Sequence, residues 1–202
     1  LLWSIQEAYQ QVARCYYCEQ RFVCSSLTST DLLCAAQGKG LDWGGSHIRP
    51  EATGYGTCYY VDHMIKHNEG AEAGFKGKKV VISGSGQVAQ FAALKIMELG
   101  GTVLSLSDSK GVLISTDAAG YQKEWIKEVF DIKVNKKELS TLGDKGGKLK
   151  FVEGARPWKT VESYDVALPC ATQNEVDESD AKAMIEKGCR YVGEGELQRA
   201  LW

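Results

Sequence analysis

The sequence predicts an α/β protein with a doubly wound, Rossmann-type, mostly parallel sheet that carries helices on both faces. Two observations support this prediction. From residue 78 on, short apolar runs alternate with helical patterns, and a glycine-rich turn joins the first run to the helix that follows it. Because parallel strands are connected by right-handed crossovers, such an alternation favours a doubly wound sheet.

The composition is that of an ordinary globular protein and argues against several function classes. The 202 residues carry 24 basic and 26 acidic side chains, for a net charge of −2. No broad basic field is therefore expected for nucleic acid, and no polybasic patch for a membrane surface. No apolar run approaches the roughly 18 residues of a membrane-spanning helix. The chain begins with Leu1, and we expect a fragment or a processed product.

The first part of the chain differs from the rest. Residues 1–36 keep no clean helical period and are interpreted as an arm of unclear origin, whereas residues 37–202 are interpreted as one domain. A glycine-rich loop at 38–46 precedes a helix that Pro50 opens, since proline suits the first helical turn. An Asn-Glu-Gly turn at 68–70 ends that helix.

The alternating part begins at residue 78. The predicted strands, each a short apolar run flanked by turn residues, are 78–83, 102–107, 150–153, 165–170 and 190–192. The predicted helices, each with an apolar face, are 87–99, 121–130 and 177–187. The polar, glycine-rich stretch 133–150 is predicted to be an excursion from the sheet.

The turn after the first strand reads Gly-x-Gly-x-x-Ala. In this context Gly84 permits the tight turn, Gly86 lets the backbone approach a pyrophosphate, and Ala89 allows the helix to pack closely on the strand. The backbone N–H groups from Ser85 to Val88 would bind the phosphates at the helix N-terminus. The alternative is a tight turn that binds no ligand.

An acidic residue follows the second strand. Asp108 lies 24 positions after Gly84, close to the roughly 20 that separate this glycine from a ribose-binding acid. The hydroxyl of Ser109 and the ammonium groups of Lys110 and Lys133 suit a 2′-phosphate, so NADP is favoured over NAD. The alternative for both lysines is an ordinary solvated surface.

A polar stretch follows the fourth predicted strand. Ala171, Thr172, Gln173 and Asn174 would lie at the carboxyl edge of the sheet, where open α/β folds bind ligands. Amide side chains at this edge could recognise the carboxamide of nicotinamide. The alternative is that Thr172 or Asn174 caps the helix that follows.

The seven cysteines are odd in number and irregularly spaced, which argues against a disulfide framework. Cys15 and Cys18 have the spacing of a metal or redox pair. Cys24 and Cys34 are too far apart to complete a zinc site, so no metal is predicted. We expect reduced thiols in a reducing compartment and assign the chain to the cytoplasm.

Several stretches together resemble the NADP-dependent glutamate dehydrogenases of the Glu/Leu/Phe/Val dehydrogenase family. The matching stretches are 38–41, 43–46, 48–56, 84–90, 107–109 and 167–175, within a match that runs from about residue 37 to 196. The resemblance implies a nucleotide-binding domain for NADP and a homohexamer for the intact protein. It also implies reversible oxidative deamination of L-glutamate to 2-oxoglutarate and ammonia.

The resemblance also assigns roles to individual residues. Thr53 is similar to a threonine that contacts the cofactor near the nicotinamide, and Arg49 lies in the same motif. Asn174 is similar to a residue that faces the nicotinamide ring, within the stretch that holds Ala171 and Thr172. The remaining matches are to the pyrophosphate loop and to the surroundings of the ribose and its 2′-phosphate: Gly84, Ser85, Gly86, Gln87, Val88, Asp108, Ser109 and Lys133. Gln87 stands where the family usually has asparagine.

The chain also departs from the family. The motifs that supply substrate-binding lysines, the catalytic lysine and a proton-transferring aspartate do not appear, and the sequence after 193–195 differs, so the domain is interpreted as truncated there. We assign no catalytic residue and expect this chain alone to bind NADP weakly and to turn over no glutamate. Two other hypotheses are a noncatalytic nucleotide-binding module or partner subunit, and another amino-acid dehydrogenase of the superfamily, which residues 49–56 and 107–109 disfavour.

Overall fold

A computed structural model describes residues 47–135, 137–143 and 147–195. The chain divides into two compact units, Leu1–Ala52 and Thr53–Trp202. Of the first unit only residues 47–52 are described, so the fold below is that of the second unit, together with the helix that begins at Arg49. The predicted arm 1–36 lies outside the described residues.

The described elements alternate between helix and strand as predicted. The helices are α1 (Arg49–Glu69), α2 (Gln87–Glu98), α3 (Lys123–Val134), α4 (Pro157–Thr160) and α5 (Glu178–Glu186). The strands are β1 (Lys79–Ile82), β2 (Thr102–Ser107), β3 (Gly111–Ser115), β4 (Leu149–Glu153), β5 (Val166–Leu168) and β6 (Tyr191–Val192). All five predicted strands are present, and so are the four predicted helices, which confirms the α/β class.

The strands form one sheet in the order β4-β3-β2-β1-β5-β6. Strand β1 pairs in parallel with both β2 and β5, and β5 pairs in parallel with β6. The chain leaves β1 toward β2 on one side and later returns to β5 on the other side. The strand order therefore reverses between β1 and β5, which is the topological switch point of a doubly wound sheet.

One edge of the sheet differs from the sequence prediction. Strand β3 was not predicted, and it pairs antiparallel with both β2 and β4, so that edge is an antiparallel meander. The predicted excursion 133–150 is also wrong in part. Lys133 lies in the last turn of α3, and a 3-10 turn at Leu139–Leu142 buries both of its leucines against the core.

Both faces of the sheet are covered, because successive side chains of a strand point to opposite faces. Val80 and Ile82 of β1 belong to one apolar cluster, which includes buried side chains from α1, α2 and α3. Val81 belongs to a second cluster on the other face, with Trp158 of α4 and Met184 of α5. The two clusters hold the loops at the carboxyl ends of β1 and β5 in place from both sides.

Candidate functional site

The parallel strands bring their carboxyl ends to one edge of the sheet, where ligands bind in open α/β folds. The loops at this edge are 83–86 after β1, 108–110 after β2, 169–177 after β5 and 193–195 after β6. The first and third touch directly, since the backbone N–H of Cys170 donates to Ser83 Oγ at 3.0 Å. The predicted residues in these loops therefore share one edge.

The glycine loop after β1 is packed too tightly for any other residue at Gly84. This residue has a φ of +82°, and a Cβ there would stand 2.7 Å from the carbonyl oxygen of Cys170. Its N–H donates to Ser107 Oγ at 2.9 Å, and the N–H of Ser107 donates to the Gly84 carbonyl at 3.0 Å. Gly84 thus joins the loops after β1, β2 and β5, which supports its predicted role in a tight turn.

The N-terminus of α2 presents free backbone donors. Gly86 is the N-cap residue; no side chain caps the helix, and its first turn contains no acidic residue. A Cβ at Gly86 would meet nothing within 4 Å, so the space beside this backbone is open. The side-chain oxygen Oε1 of Gln87 is buried without a hydrogen-bond partner. An uncapped helix N-terminus beside an open glycine is a site that suits a phosphate group.

Asp108 is engaged by the backbone of its own surroundings. Its Oδ1 accepts from the N–H groups of Lys110 at 2.9 Å and Gly111 at 3.2 Å, within the β2–β3 turn. Its Oδ2 accepts from the N–H of Leu139 at 3.2 Å and lies 3.9 Å from Lys133 Nζ. The carboxylate therefore organises the turn and binds the 3-10 turn, whereas its predicted contact with a ribose hydroxyl stays a prediction.

The polar side chains near Asp108 differ in whether they already have a partner within the protein. Ser109 is exposed at the tip of the β2–β3 turn. Lys110 forms an ion pair with Glu138, and this pair raises the pKa of the lysine and lowers the pKa of the glutamate. Of the predicted 2′-phosphate ligands, Ser109 follows Asp108 in the turn and Lys133 lies 3.9 Å from its carboxylate, while Lys110 already has an acidic partner.

The loop after β5 presents its polar residues to solvent. Ala171, Thr172 and Asn174 are all exposed, and Asn174 adopts a left-handed φ of +52°. Helix α5 is capped instead by Asp177, whose carboxylate accepts from the N–H of Asp180 at 2.8 Å in a capping box. The alternative that Thr172 or Asn174 caps this helix is therefore wrong, and both side chains remain available at the edge.

Two residues that sequence reasoning did not single out hold this loop. Glu175 Oε2 accepts from Ser83 Oγ at 2.8 Å and from the N–H of Ala171 at 3.4 Å. Burial raises the pKa of Glu175, although its hydrogen bonds with Ser83 and with the backbone act in the opposite direction. Arg156 Nη1 donates to the carbonyl of Glu175 at 3.1 Å. The available signal was an acidic residue directly after the uncharged stretch 166–174.

Helix α1 packs across α2 close to the glycine loop. A Cβ on Gly54 would stand 2.7 Å from the carbonyl oxygen of Val88 and 2.8 Å from the N–H nitrogen of Ala92, so the two helices approach closely here. Thr53, directly before Gly54, is half-buried, and its carbonyl accepts from Thr57 Oγ1 at 2.9 Å. Arg49 is the first residue of α1, and its side chain lies outside the described part of the structure.

An open groove continues the site between α1 and the end of β6. It has a volume of about 570 Å³ and is lined by Gly56, Thr57, Tyr60, Val192, Gly193 and Glu194. Burial, and secondly the carboxylate of Glu175, raise the pKa of Glu194. The groove therefore holds an acid that is electrostatically coupled to the loop after β5, and sequence reasoning had not identified it.

The remaining predictions concern metals, cysteines and membranes. Among the described residues, no group of three or more His, Cys, Asp or Glu side chains could hold a metal ion. Cys58 and Cys189 are thiols, and burial raises their pKa to about 12 and about 11. The Cys15–Cys18 pair lies outside the described residues. In the ranges that the structure covers, no helix is long and apolar enough to cross a membrane.

Comparisons with known proteins point to one family. The model for "Glutamate/Leucine/Phenylalanine/Valine dehydrogenase" matches residues 44–196. An NADP-specific glutamate dehydrogenase of Penicillium chrysogenum is 53% identical in an alignment of 163 positions that covers 78% of this chain and 35% of that protein. A second, of Emericella nidulans, is 55% identical and is covered to 36% of its length. The chain thus spans about a third of the length of these curated relatives.

Solved structures give the same result for the fold. The crystal structure of Plasmodium falciparum glutamate dehydrogenase is 36% identical and aligns with a TM-score of 0.70 over 79% of this chain and 33% of that chain. A second structure, of Plasmodium falciparum glutamate dehydrogenase 2, is 38% identical with a TM-score of 0.68. Sequence and fold similarity therefore cover nearly the same share of the chain.

Proposed function

The chain belongs to the glutamate/leucine/phenylalanine/valine dehydrogenase family, and on this basis we propose that it is the nucleotide-binding part of an NADP-dependent glutamate dehydrogenase. The proposed activity of the whole protein is the reversible oxidative deamination of L-glutamate to 2-oxoglutarate and ammonia. The observation that carries the proposal is the glycine loop at the uncapped N-terminus of α2, beside the switch point of the sheet.

In this proposal α2 binds the pyrophosphate. The N–H groups of Gln87 and Val88 in the first turn of α2 point along the helix axis toward the open space at Gly86, and the helix dipole favours a negative charge there. Ser85, directly before the N-cap residue, is proposed to contribute its N–H from the glycine loop. The unpartnered Oε1 of Gln87 is an acceptor, so a hydroxyl of a bound nucleotide can donate to it, whereas a phosphate oxygen cannot. Glutamine has one more methylene than the family's usual asparagine and thus a longer reach.

The 2′-phosphate is proposed to bind between Ser109 and Lys133. Ser109 offers an exposed hydroxyl donor, and Lys133 offers an ammonium group that is 3.9 Å from Asp108. Because three backbone N–H groups already satisfy Asp108, its negative charge is partly compensated within the protein. A phosphate beside this carboxylate is therefore less disfavoured than it would be beside an unpartnered acid.

The nicotinamide end is proposed to lie at the loop after β5. Ala171, Thr172 and Asn174 are exposed at that edge, where amide and backbone groups can orient the carboxamide. The family resemblance assigns Thr53 of α1 to the same end of the cofactor. When bound, NADP supplies the acceptor for a hydride from the substrate's α-carbon. The residues of this chain bind and orient; none is assigned to the chemical step. We also propose that the intact protein is a cytoplasmic homohexamer.

The proposal is tested by binding titrations of the purified chain with NADPH and NADH. We expect NADPH to bind about tenfold more tightly, because the 2′-phosphate adds one charge-assisted interaction. Lys133→Ala should reduce this preference, whereas Lys127→Ala on the exposed face of the same helix should not. Equal binding of both nucleotides, or binding of neither, would contradict the proposed function. Glutamate-dependent formation of NADPH by the chain alone would contradict its proposed role as the nucleotide-binding part only.

A further inference from the structure

Glu175 stands where the two loops beside the switch point meet. The loop after β1 continues into the phosphate-binding turn, and the loop after β5 carries the proposed nicotinamide contacts. One oxygen of Glu175, Oε2, accepts from Ser83 Oγ in the first loop at 2.8 Å and from the N–H of Ala171 in the second at 3.4 Å. A single carboxylate therefore bridges the two loops.

Ser83 completes the bridge from the other side. Its side chain is fully buried at the end of β1, directly before Gly84. Its Oγ donates to Glu175 and accepts from the N–H of Cys170 at 3.0 Å. Because the missing Cβ of Gly84 leaves room for the Cys170 carbonyl, the two loops are in direct contact along this stretch.

The main chain of Glu175 is held as well. Arg156 Nη1 donates to its carbonyl at 3.1 Å, and the same guanidinium pairs with Asp177 at 3.5 Å and with the fully buried Asp180. Glu175 is thus fixed through its side chain to β1 and through its main chain to the start of α5. Asn174, directly before Glu175, adopts a left-handed conformation and is exposed.

We propose that Glu175 is a positioning residue for the nicotinamide half of NADP, because it fixes the exposed residues 171–174 against the phosphate-binding loop. This inference rests on the proposed function. Glu175 itself is half-buried beneath the loop and acts through residues 171–174. The adenosine half binds on the opposite side of the switch point, near Asp108 and Ser109, and is independent of this bridge.

The separation of the two halves gives a direct test. The probes are NADPH and 2′,5′-ADP, which carries the adenosine and the 2′-phosphate but no nicotinamide. In the full chain, Glu175→Ala is expected to weaken NADPH about tenfold and to change the affinity for 2′,5′-ADP less than about twofold. Glu175→Gln keeps an acceptor for Ser83 and should restore most of the NADPH affinity. Glu178→Ala, at an exposed glutamate of α5, is the matched control and should bind both probes normally.

A purely structural role would give a different pattern. If Glu175→Ala weakened both probes equally, or neither, the inference would be overturned while the proposed function stood. If Glu175→Ala does not fold, Ser83→Ala removes the same bridge from the other loop and should again weaken NADPH selectively. Failure of the unaltered chain to bind either probe would overturn the proposed function and this inference with it.

Discussion

Gly84 and Gly86 are two residues apart in one loop, yet they are glycines for different physical reasons. Gly84 has a φ of +82°, and a Cβ there would stand 2.7 Å from a backbone oxygen. We expect Gly84→Ala to lower the free energy of unfolding by at least about 1–2 kcal/mol, the cost of a left-handed conformation before the steric clash is added. Urea titration of the purified chain measures this change.

Gly86→Ala is the matched comparison, because Gly86 has an ordinary φ of −77° and open space around it. Its stability should fall by less than about 1 kcal/mol, as alanine is only a poorer N-cap. Its affinity for NADPH should fall about tenfold, since a methyl group would stand where the pyrophosphate approaches the backbone. If Gly86→Ala destabilised the chain as much as Gly84→Ala, the assignment of separate roles would be wrong.

Asp108 is expected to support the structure of the site, which is a different role from direct contact with the ligand. Asp108→Ala would leave the N–H groups of Lys110, Gly111 and Leu139 without their acceptor. A buried donor without an acceptor costs about 1–3 kcal/mol, and less where water reaches it, as at the exposed Lys110. We therefore expect a loss of stability, and a loss of the preference for NADPH over NADH because the turn that positions Ser109 loses its support. A ribose-binding acid would instead lower the affinity for both nucleotides and leave the denaturation midpoint unchanged.

At the scale of elements, the capping box of α5 sets a pH dependence. Hydrogen bonds from Ser179 and from the backbone N–H of Asp180 lower the pKa of Asp177 below its ordinary value of 3.8. A carboxylate with a lowered pKa in the folded state contributes stability above its unfolded pKa and loses that contribution as the pH falls through the folded pKa. Asp177→Ala should therefore lower the melting temperature at pH 7, and by less as the pH falls below 3.8, because the charge of Asp177 is then lost while a neutral acceptor remains.

The matched variant is Asp177→Asn, which keeps a side-chain acceptor for the N–H of Asp180 without the charge. It should melt between the unaltered chain and Asp177→Ala at pH 7, and its melting temperature should vary less with pH. A melting difference for Asp177→Ala that is the same at pH 7 and at the most acidic pH at which the chain stays folded would contradict the electrostatic part of this argument.

The elements also show what the sequence can and cannot predict. Strands β1, β2 and β5 are runs of buried residues between turn signals, so periodicity and flanking residues were enough to predict them. Strand β3 was missed because it begins at Gly111, only four positions after β2 ends, and its turn depends on the backbone contacts of Asp108. Helix α4 was missed because four residues, Pro157–Thr160, are too short for a helical period.

The candidate site, like the fold, could be predicted from the sequence only in part. The glycine loop was predictable because its spacing follows from local backbone geometry. The bridge between Ser83 and Glu175 spans 92 positions of sequence, and the bond from Asp108 to the N–H of Leu139 spans 31. Contacts of this kind depend on strand order, which no local pattern encodes, so only the folded chain identifies their partners.

At the scale of the whole second unit, the two apolar clusters depend on the same strands. Val80 and Ile82 face one cluster and Val81 faces the other, and in β5 Leu168 and Ala167 divide between them in the same way. Loss of packing on one face would therefore expose strands whose other side chains form the core of the opposite face. The phosphate-binding loop and the loop after β5 leave the ends of these shared strands, so the ligand site depends on both faces.

Because the two clusters share the same strands, we expect the second unit to unfold cooperatively. Ile96→Ala in α2 and Met184→Ala in α5 remove buried side chains from opposite faces, and each should cost about 2–5 kcal/mol. Native-state hydrogen exchange in urea, read by mass spectrometry on peptides from α2 and α5, should show both peptides losing protection together in either variant. NADPH at about 100 times its Kd should restore about 2.7 kcal/mol to both peptides at once. If Met184→Ala exposed only α5 while α2 stayed protected, the two faces would be separate folding units. The ligand site would then depend on the first face alone.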